Sequence, residues 1–284
     1  MSVQADILGI VNITTDSFSD GGRFLDPARA LSHCKDLLAE GAHILDLGPA
    51  SSHPDAEHVS ADDEIARLAP VFDGLETLKG YKRRDFQVSV DSFQTETQRF
   101  ALSRGVDYLN DIQGFSDPAF YPELAGGAAK LIVMHSVQAS GIATRDEVGV
   151  ADMISHIYAF YDDRLAALEG AGVARDRLIL DPGMGFFLGP DPDVSFEVLA
   201  RIDEVKARYQ LPVLISVSRK SFLRSVTGKT AAQAGAASLA AELMAVMGGA
   251  DLIRTHEPAP LRDGLAVWQA LSARAQEPPV STER

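Results

Sequence analysis

Cysteine is nearly missing from this 284-residue chain: Cys34 stands alone, so no disulfide framework can staple the fold. Long apolar runs are missing too, and nothing approaches the roughly 20 residues needed to span a bilayer. The opening residues Met1 to Asp6 show no basic segment leading into an apolar one, so no signal peptide is expected. Positive charge is scarce. A formal net charge of −14 argues against non-specific binding to nucleic acid or to an anionic membrane. Three chemical signatures are absent as well: His/Cys zinc spacing, a G-x-S-x-G nucleophile elbow, and the G-x-G-x-x-G dinucleotide fingerprint, which Gly183, Gly185 and Gly189 do not form. What remains is a cytoplasmic enzyme of small molecules, or a binding protein for them.

What the chain does have is alternation. Hydrophobic content of 46% suffices for a sizeable core. Short apolar runs ending in a polar residue alternate with segments of helical spacing. The runs are residues 6–13, 43–48, 86–91, 106–111, 130–135, 177–181, 212–218 and 251–254. Between them, Asp26-Pro27 supplies a cap and a first helical residue, and Leu31, Cys34, Leu37 and Leu38 share one face before Gly41. On that face Cys34 reads as a small core hydrophobe. Ser60 and Asp63 have capping-box spacing. Further helices are expected over residues 95–104, about 195–208, 231–247 and 260–275, and around Ile154 to Leu168. Eight strands alternating with helices at this length predict a (β/α)8 barrel over residues 1–275, with residues 276–284 as a frayed tail.

In such a barrel all strand C-termini share one rim, and the chemistry sits there. The rim is expected to hold Asn12, Asp46, Asp91, Asn110, His135, Asp181, Ser218-Arg219-Lys220 and Arg254-Thr255-His256. Taken singly, each could be a turn former. As a group they divide by chemistry. Asp91, Asn110, Asp181 and Lys220 suit a flat heterocycle that presents N–H donors and a carbonyl. Asn12, Arg254 and His256 suit phosphate oxygens and a hard cation such as Mg²⁺. Ser221 opens a helix, a position that favours a carboxylate or phosphate. No side chain looks like an activated nucleophile, so displacement between two bound substrates is expected.

These same residues carry a resemblance. Val11 to Gly22, Ser89-Val-Asp91-Ser-Phe, Asn110-Asp-Ile, Val133-Met134-His135, Asp181-Pro-Gly-Met-Gly-Phe186, Ser218-Arg-Lys220-Ser221-Phe and Ile253-Arg254-Thr-His256 resemble the dihydropteroate synthase family along residues 6–272. The resemblance implies a (β/α)8 barrel, usually homodimeric. It also implies condensation of 6-hydroxymethyl-7,8-dihydropterin diphosphate with p-aminobenzoate, using Mg²⁺. Asp91, Asn110, Met134, Asp181 and Lys220 would hold the pterin. Asn12, Arg254 and His256 would hold the diphosphate, with Asn12 on the metal. Ser52, His53, Phe186, Phe187, Ser218, Lys220 and Ser221 would surround p-aminobenzoate. Asp91, Asp181, Lys220, Arg254 and His256 would carry the catalysis.

Two segments depart from the usual family pattern. Where Gly-Gly-Glu-Ser-Thr-Arg-Pro-Gly is common, the chain reads Gly48-Pro-Ala-Ser-Ser52-His53-Pro-Asp55; and Phe186 is followed by Phe187, Leu188 and Gly189, without a lysine. Both departures resemble the Sul-type, sulfonamide-insensitive branch, as do Asp91 to Gln98, Asn110 to Phe115 and Gly141 to Arg145. Two other readings remain open from sequence: a methyltetrahydrofolate–corrinoid methyltransferase, and a catalytically silent pterin-binding paralogue.

Overall fold

The apolar runs become eight parallel strands: β1 (Asp6–Asn12), β2 (Ile44–Gly48), β3 (Gln87–Asp91), β4 (Tyr108–Asp111), β5 (Lys130–Met134), β6 (Leu178–Asp181), β7 (Leu214–Ile215) and β8 (Leu252–Thr255). This computed structural model describes residues 4–14, 26–51, 58–78, 85–137 and 148–275. The strand order is β6-β5-β4-β3-β2-β1-β8-β7, and a parallel bridge from Leu180 to Val213 joins the two ends. The sheet is therefore a closed (β/α)8 barrel in a single domain. The expected tail, residues 276–284, lies outside the described residues.

The helices follow from local signals. In α1 (Pro27–Glu40) the Asp26 carboxylate accepts from the Ala28 N–H, and Gly41 ends the helix in the left-handed region. In α2 (Ala61–Leu75) the Ser60 hydroxyl accepts from the Asp63 N–H. Then come α3 (Thr95–Ser103), α4 (Tyr121–Gly126), α5 (Val150–Gly170), α6 (Pro192–Ala200), α7 (Ile202–Tyr209), α8 (Ser221–Thr227), α9 (Gly235–Met247) and α10 (Pro258–Ala275). Their apolar stripes cover the outside of the barrel; Cys34 is fully buried there, and burial pushes its thiol up to about 12. It is a core side chain.

Three elements differ from expectation. The short α4 had no sequence counterpart, because one and a half turns give too little periodicity to read. The helix expected over about 195–208 is two helices. Asp191 and Pro192 start α6 with the same cap-and-proline signal as α1, and Arg201 leaves the helical region while its guanidinium bonds Glu197 and Glu204 on either side. The seventh run pairs in a ladder only at Leu214 and Ile215. Beyond it the chain must turn, with Arg219 at φ 60 and its N–H bound to the Ser238 hydroxyl.

Side-chain parity sets up the site. Successive strand residues face opposite sides. Leu8, Ile44, Tyr108, Ile132, Ile179, Leu214 and Leu252 form a separate apolar cluster that fills the barrel interior. Each fully buried apolar side chain of this size contributes about 1.5–3 kcal/mol. Two residues further along the same strands, on the same parity, stand Ile10, Asp46, Asn110, Met134, Asp181, Ser216 and Arg254. The plug thus forms the floor beneath a polar mouth.

Candidate active site

Arg254 dominates one side of that mouth. It leaves β8 toward the barrel axis, where its Nε donates to Asp46 Oδ2 at 2.5 Å and its Nη2 to Asp91 Oδ2 at 2.7 Å. Asp46 is wholly buried, and the Arg254 and Asp91 side chains are each 16% exposed. Burial disfavours the guanidinium charge, but the two carboxylates outweigh it and hold Arg254 protonated. Burial pushes the Asp91 carboxyl up to about 7; Arg254 pulls against this and Asp46 adds to the rise. Beside the trio, Asp46 Oδ1, Ser89 Oγ and Asn110 Oδ1 are buried without a hydrogen-bond partner among the described residues. Native proteins leave few such atoms, and of these three only Asn110 lines the cavity, where a ligand N–H can supply the missing donor.

Asp181 stands across the mouth at the end of β6. Its Oδ1 accepts the Gly183 N–H at 2.8 Å, which fixes the carboxylate against its own turn. Gly183 sits at φ +76, and a Cβ there would lie 2.4 Å from the His135 carbonyl, so only glycine fits. Burial raises the Asp181 carboxyl above the usual range, opposed by Lys220. Lys220 donates to the Met184 carbonyl at 3.0 Å and lies 5.0 Å from the centre of the Phe187 ring. Burial lowers its ammonium to about 8, with Asp181 resisting.

His256 closes the circle. Its backbone N–H donates to Ser218 Oγ at 3.2 Å, and its Nδ1 lies 3.0 Å from the same oxygen. Burial, then Arg219 and Arg254, push the imidazole down to about 3, so at neutral pH it is an uncharged donor or acceptor.

These groups line a single cavity of about 530 Å³, within the usual range for small-molecule sites. Asn12, Asp91, Asn110, Met134, Asp181, Phe186, Phe187, Ser218, Lys220, Ser221, Arg254 and His256 all face it. Ser52 and His53 lie outside the described residues. Three expected rim residues, Asp46, His135 and Thr255, do not line the cavity. His135 has the parity opposite to Met134 and points into the helical layer, with Nδ1 donating to the Pro182 carbonyl at 3.0 Å and Nε2 2.8 Å from His156 Nδ1. Burial lowers it to about 3, and it braces the turn after Asp181 from behind. Conversely, Asp46 stood on the expected rim without a role, and it is the fixed partner of Arg254. Thr14, Met184 and Arg224 also line the cavity and were not anticipated. Parity marks Asp46 in the sequence; for Arg224, one turn after Ser221, the signal was its helical spacing from that serine.

Comparisons with known proteins agree with this geometry. The chain matches the pterin binding enzyme family over residues 8–256. It is 62% identical over 276 residues to the type-2 dihydropteroate synthase of Escherichia coli, covering 97% of this chain and 99% of that protein. The solved dihydropteroate synthase of Xanthomonas albilineans with 4-aminobenzoic acid superposes with a TM-score of 0.83 at 33% identity, over 95% of this chain and 94% of that one. The Xanthomonas albilineans enzyme in complex with 7,8-dihydropteroate gives a TM-score of 0.81 at 32% identity, over 96% of each chain. A polar barrel mouth built from these strand-end motifs, in a chain so close to those enzymes, has one family home: the chain belongs to the dihydropteroate synthases.

Proposed function

We propose that this cavity joins 6-hydroxymethyl-7,8-dihydropterin diphosphate to p-aminobenzoate, releasing diphosphate and forming 7,8-dihydropteroate. The observation that carries the site assignment is the convergence of Asp91, Asn110, Asp181 and Lys220 on one cavity in which Asn110 Oδ1 has no partner among the described residues. Acceptors of this kind match the N–H edge of a pterin, and Lys220 matches its carbonyl. Met134, 4% exposed, supplies a soft apolar surface for the ring.

Arg254 keeps its Nη1 donors for a phosphate oxygen while Asp46 and Asp91 hold the other edge of its fork. His256, neutral, contributes a hydrogen bond without adding a charge. As the carbon–oxygen bond to diphosphate lengthens, positive charge spreads over the pterin methylene. Asp91 and Asp181 stabilise it, and Arg254 stabilises the departing anion. The arylamine nitrogen then attacks that carbon and loses its proton. No covalent bond to the protein forms.

The family implies Mg²⁺. Among the described residues no three His, Cys, Asp or Glu side chains gather to cage a metal. Asn12 presents one hard oxygen at the cavity, and Gly48 leaves that oxygen uncovered, a Cβ there lying 3.6 Å from it. A single amide oxygen fits an ion that keeps most of its waters and is bound chiefly through substrate phosphates. Asn12 would hold it, and the bound ion would neutralise charge on the leaving diphosphate.

Sulfonamide insensitivity belongs to the same reading. Phe186 is 39% exposed and Phe187 is half-buried under Lys220, so neither is committed to the core. Together they narrow the mouth against the substituent that a sulfonamide carries beyond its sulfonyl group, while the carboxylate of p-aminobenzoate passes. The homodimer finds support in Met244, Met247, Val267 and Leu271, apolar and more than 60% exposed on α9 and α10. Among the described residues no helix is long and apolar enough to cross a membrane, consistent with a cytoplasmic enzyme of small molecules.

The test is to supply both substrates with Mg²⁺ and follow diphosphate and dihydropteroate, alongside complementation of a bacterium lacking dihydropteroate synthase. Diphosphate release with growth is expected. Tight pterin binding without release would instead identify a silent paralogue. Methyl transfer from methyltetrahydrofolate would identify the corrinoid reading.

A further inference from the structure

Cationic side chains around the cavity are provided with partners, with one exception. Arg254 is held by Asp46 and Asp91, Lys220 donates to Met184 and acts on Asp181, and Arg219 lies 3.7 Å from Glu257. Arg224 also lines the cavity, yet it forms no ion pair or side-chain hydrogen bond among the described residues, and its Nε is shielded from solvent with no acceptor. A shielded donor on a permanent cation is unfavourable in the empty site, and an anion of the right shape repairs it.

The local fold explains why Arg224 points there. Phe222 and Leu223 are buried and anchor α8, with the Phe222 ring edge-on to Phe196 of α6 at 5.0 Å between centroids. Residues three apart on a helix share a face, so Ser221 and Arg224 are left together on the opposite side, toward the cavity. This wall is neither the pterin end, which holds Asp91, Asn110 and Asp181, nor the diphosphate end, which holds Asn12, Arg254 and His256. Phe186 and Phe187 border it. It is the place left for the second substrate.

We propose that Arg224 is the carboxylate clamp of the arylamine site: with the Ser221 hydroxyl one turn earlier, it grips the acid end of p-aminobenzoate and makes the site prefer an anionic aryl substrate. The planar guanidinium matches the two oxygens of a carboxylate and fits a neutral amide, or the sulfonyl of a drug, less well. Arg224 is thus a specificity residue, working beside the steric filter at Phe186 and Phe187. The inference rests on the reading that this cavity takes p-aminobenzoate.

The experiment compares the full chain with Arg224→Gln, Arg224→Met and Arg224→Lys in the Mg²⁺-dependent condensation. It measures KM for p-aminobenzoate, KM for the pterin diphosphate, kcat, and the inhibition constant of 4-aminobenzamide. Losing one charge-assisted contact should raise the p-aminobenzoate KM about ten- to a hundredfold, with kcat and the pterin KM within about twofold of the unaltered chain. Inhibition by 4-aminobenzamide should stay constant, so the preference for acid over amide collapses, and Arg224→Lys should recover part of it. An unmoved p-aminobenzoate KM overturns the proposal, as does a parallel loss for acid and amide, which is what a merely structural arginine gives. Arg224→Met keeps the aliphatic stem and decides the question if Arg224→Gln is not recovered folded. An unaltered chain that forms no dihydropteroate overturns the underlying function as well, an outcome separate from an active enzyme indifferent to Arg224.

Discussion

On the β2, β3 and β8 side of the cavity, Arg254 is bonded to two carboxylates before any substrate arrives; on the β6 and α8 side, Phe186 is exposed, Lys220 carries a lowered pKa, and Arg224 has no carboxylate beside it among the described residues. The first side is preorganised. Its groups are fixed by each other, so little rearrangement is needed when charge develops on diphosphate and pterin. The second side is left to be completed by its ligand. Selection of the second substrate belongs to the open side, where Phe186, Phe187 and Arg224 are not tied to one another. The two sides should therefore respond differently to substitution: the paired side in stability and turnover together, Phe187 and Arg224 on the open side in affinity and drug response.

The largest effect is expected at Arg254. Arg254→Met leaves Asp46 and Asp91 buried together without a counter-charge, which should cost about 3–5 kcal/mol of stability and abolish turnover. Denaturant unfolding followed by circular dichroism checks the first part. A variant of unchanged stability would show that the paired side is not a structural unit.

The pH profile compares the two sides directly. Asp91, raised to about 7, offers the pterin N–H groups a charged acceptor without a competing O–H only when ionised, so activity should climb as pH rises through that value. Lys220, lowered to about 8, donates as a cation only below its pKa, so activity should fall above it. The expected kcat/KM profile for the pterin diphosphate is a narrow bell between these limbs. Lys220→Arg should straighten the alkaline limb and leave the acid limb in place. An alkaline fall that persists in this variant removes Lys220 from the account.

The smallest effect on the fold is expected at Phe187. Phe187→Gly, on the open side, should shift stability by less than about 1.5 kcal/mol because the ring is not fully buried. It should also tighten inhibition by a sulfonamide at least about tenfold. Inhibition constants unchanged from the parent would assign Phe187 to packing alone.

Much of the fold was legible because its signals are local. Asp26-Pro27, the stripe through Leu31, Cys34 and Leu37, and the polar residue closing each apolar run need only a few neighbours to be read. The same signal at Asp191-Pro192 marks the start of α6, ahead of the apolar spacing that begins near Ser195. The brevity of β7 was not readable, since Pro212 to Ser218 is apolar enough for a longer strand. Beyond the short ladder the chain is held instead by contacts to other elements, among them the Arg219 N–H to the Ser238 hydroxyl. In the site, residue types and motifs point to the pterin and diphosphate groups, but of the expected rim residues His135 turns toward His156 behind the cavity and Asp46 lies buried against Arg254.

By itself, then, the sequence determined the alternation of strands and helices, the polar strand ends, and the family motifs, because each depends on spacing within one segment. Tertiary structure decided which charges meet. Arg254 finds Asp46 208 residues away and Asp91 163 residues away, and only closure of the barrel in one register brings three separate strands to that contact. The same fold sets Met134 in the cavity and His135 behind it, and it leaves Arg224 facing the cavity with no carboxylate partner among the described residues. Pairing of charges across a barrel is a property of register, and register does not exist until the strands have found their neighbours.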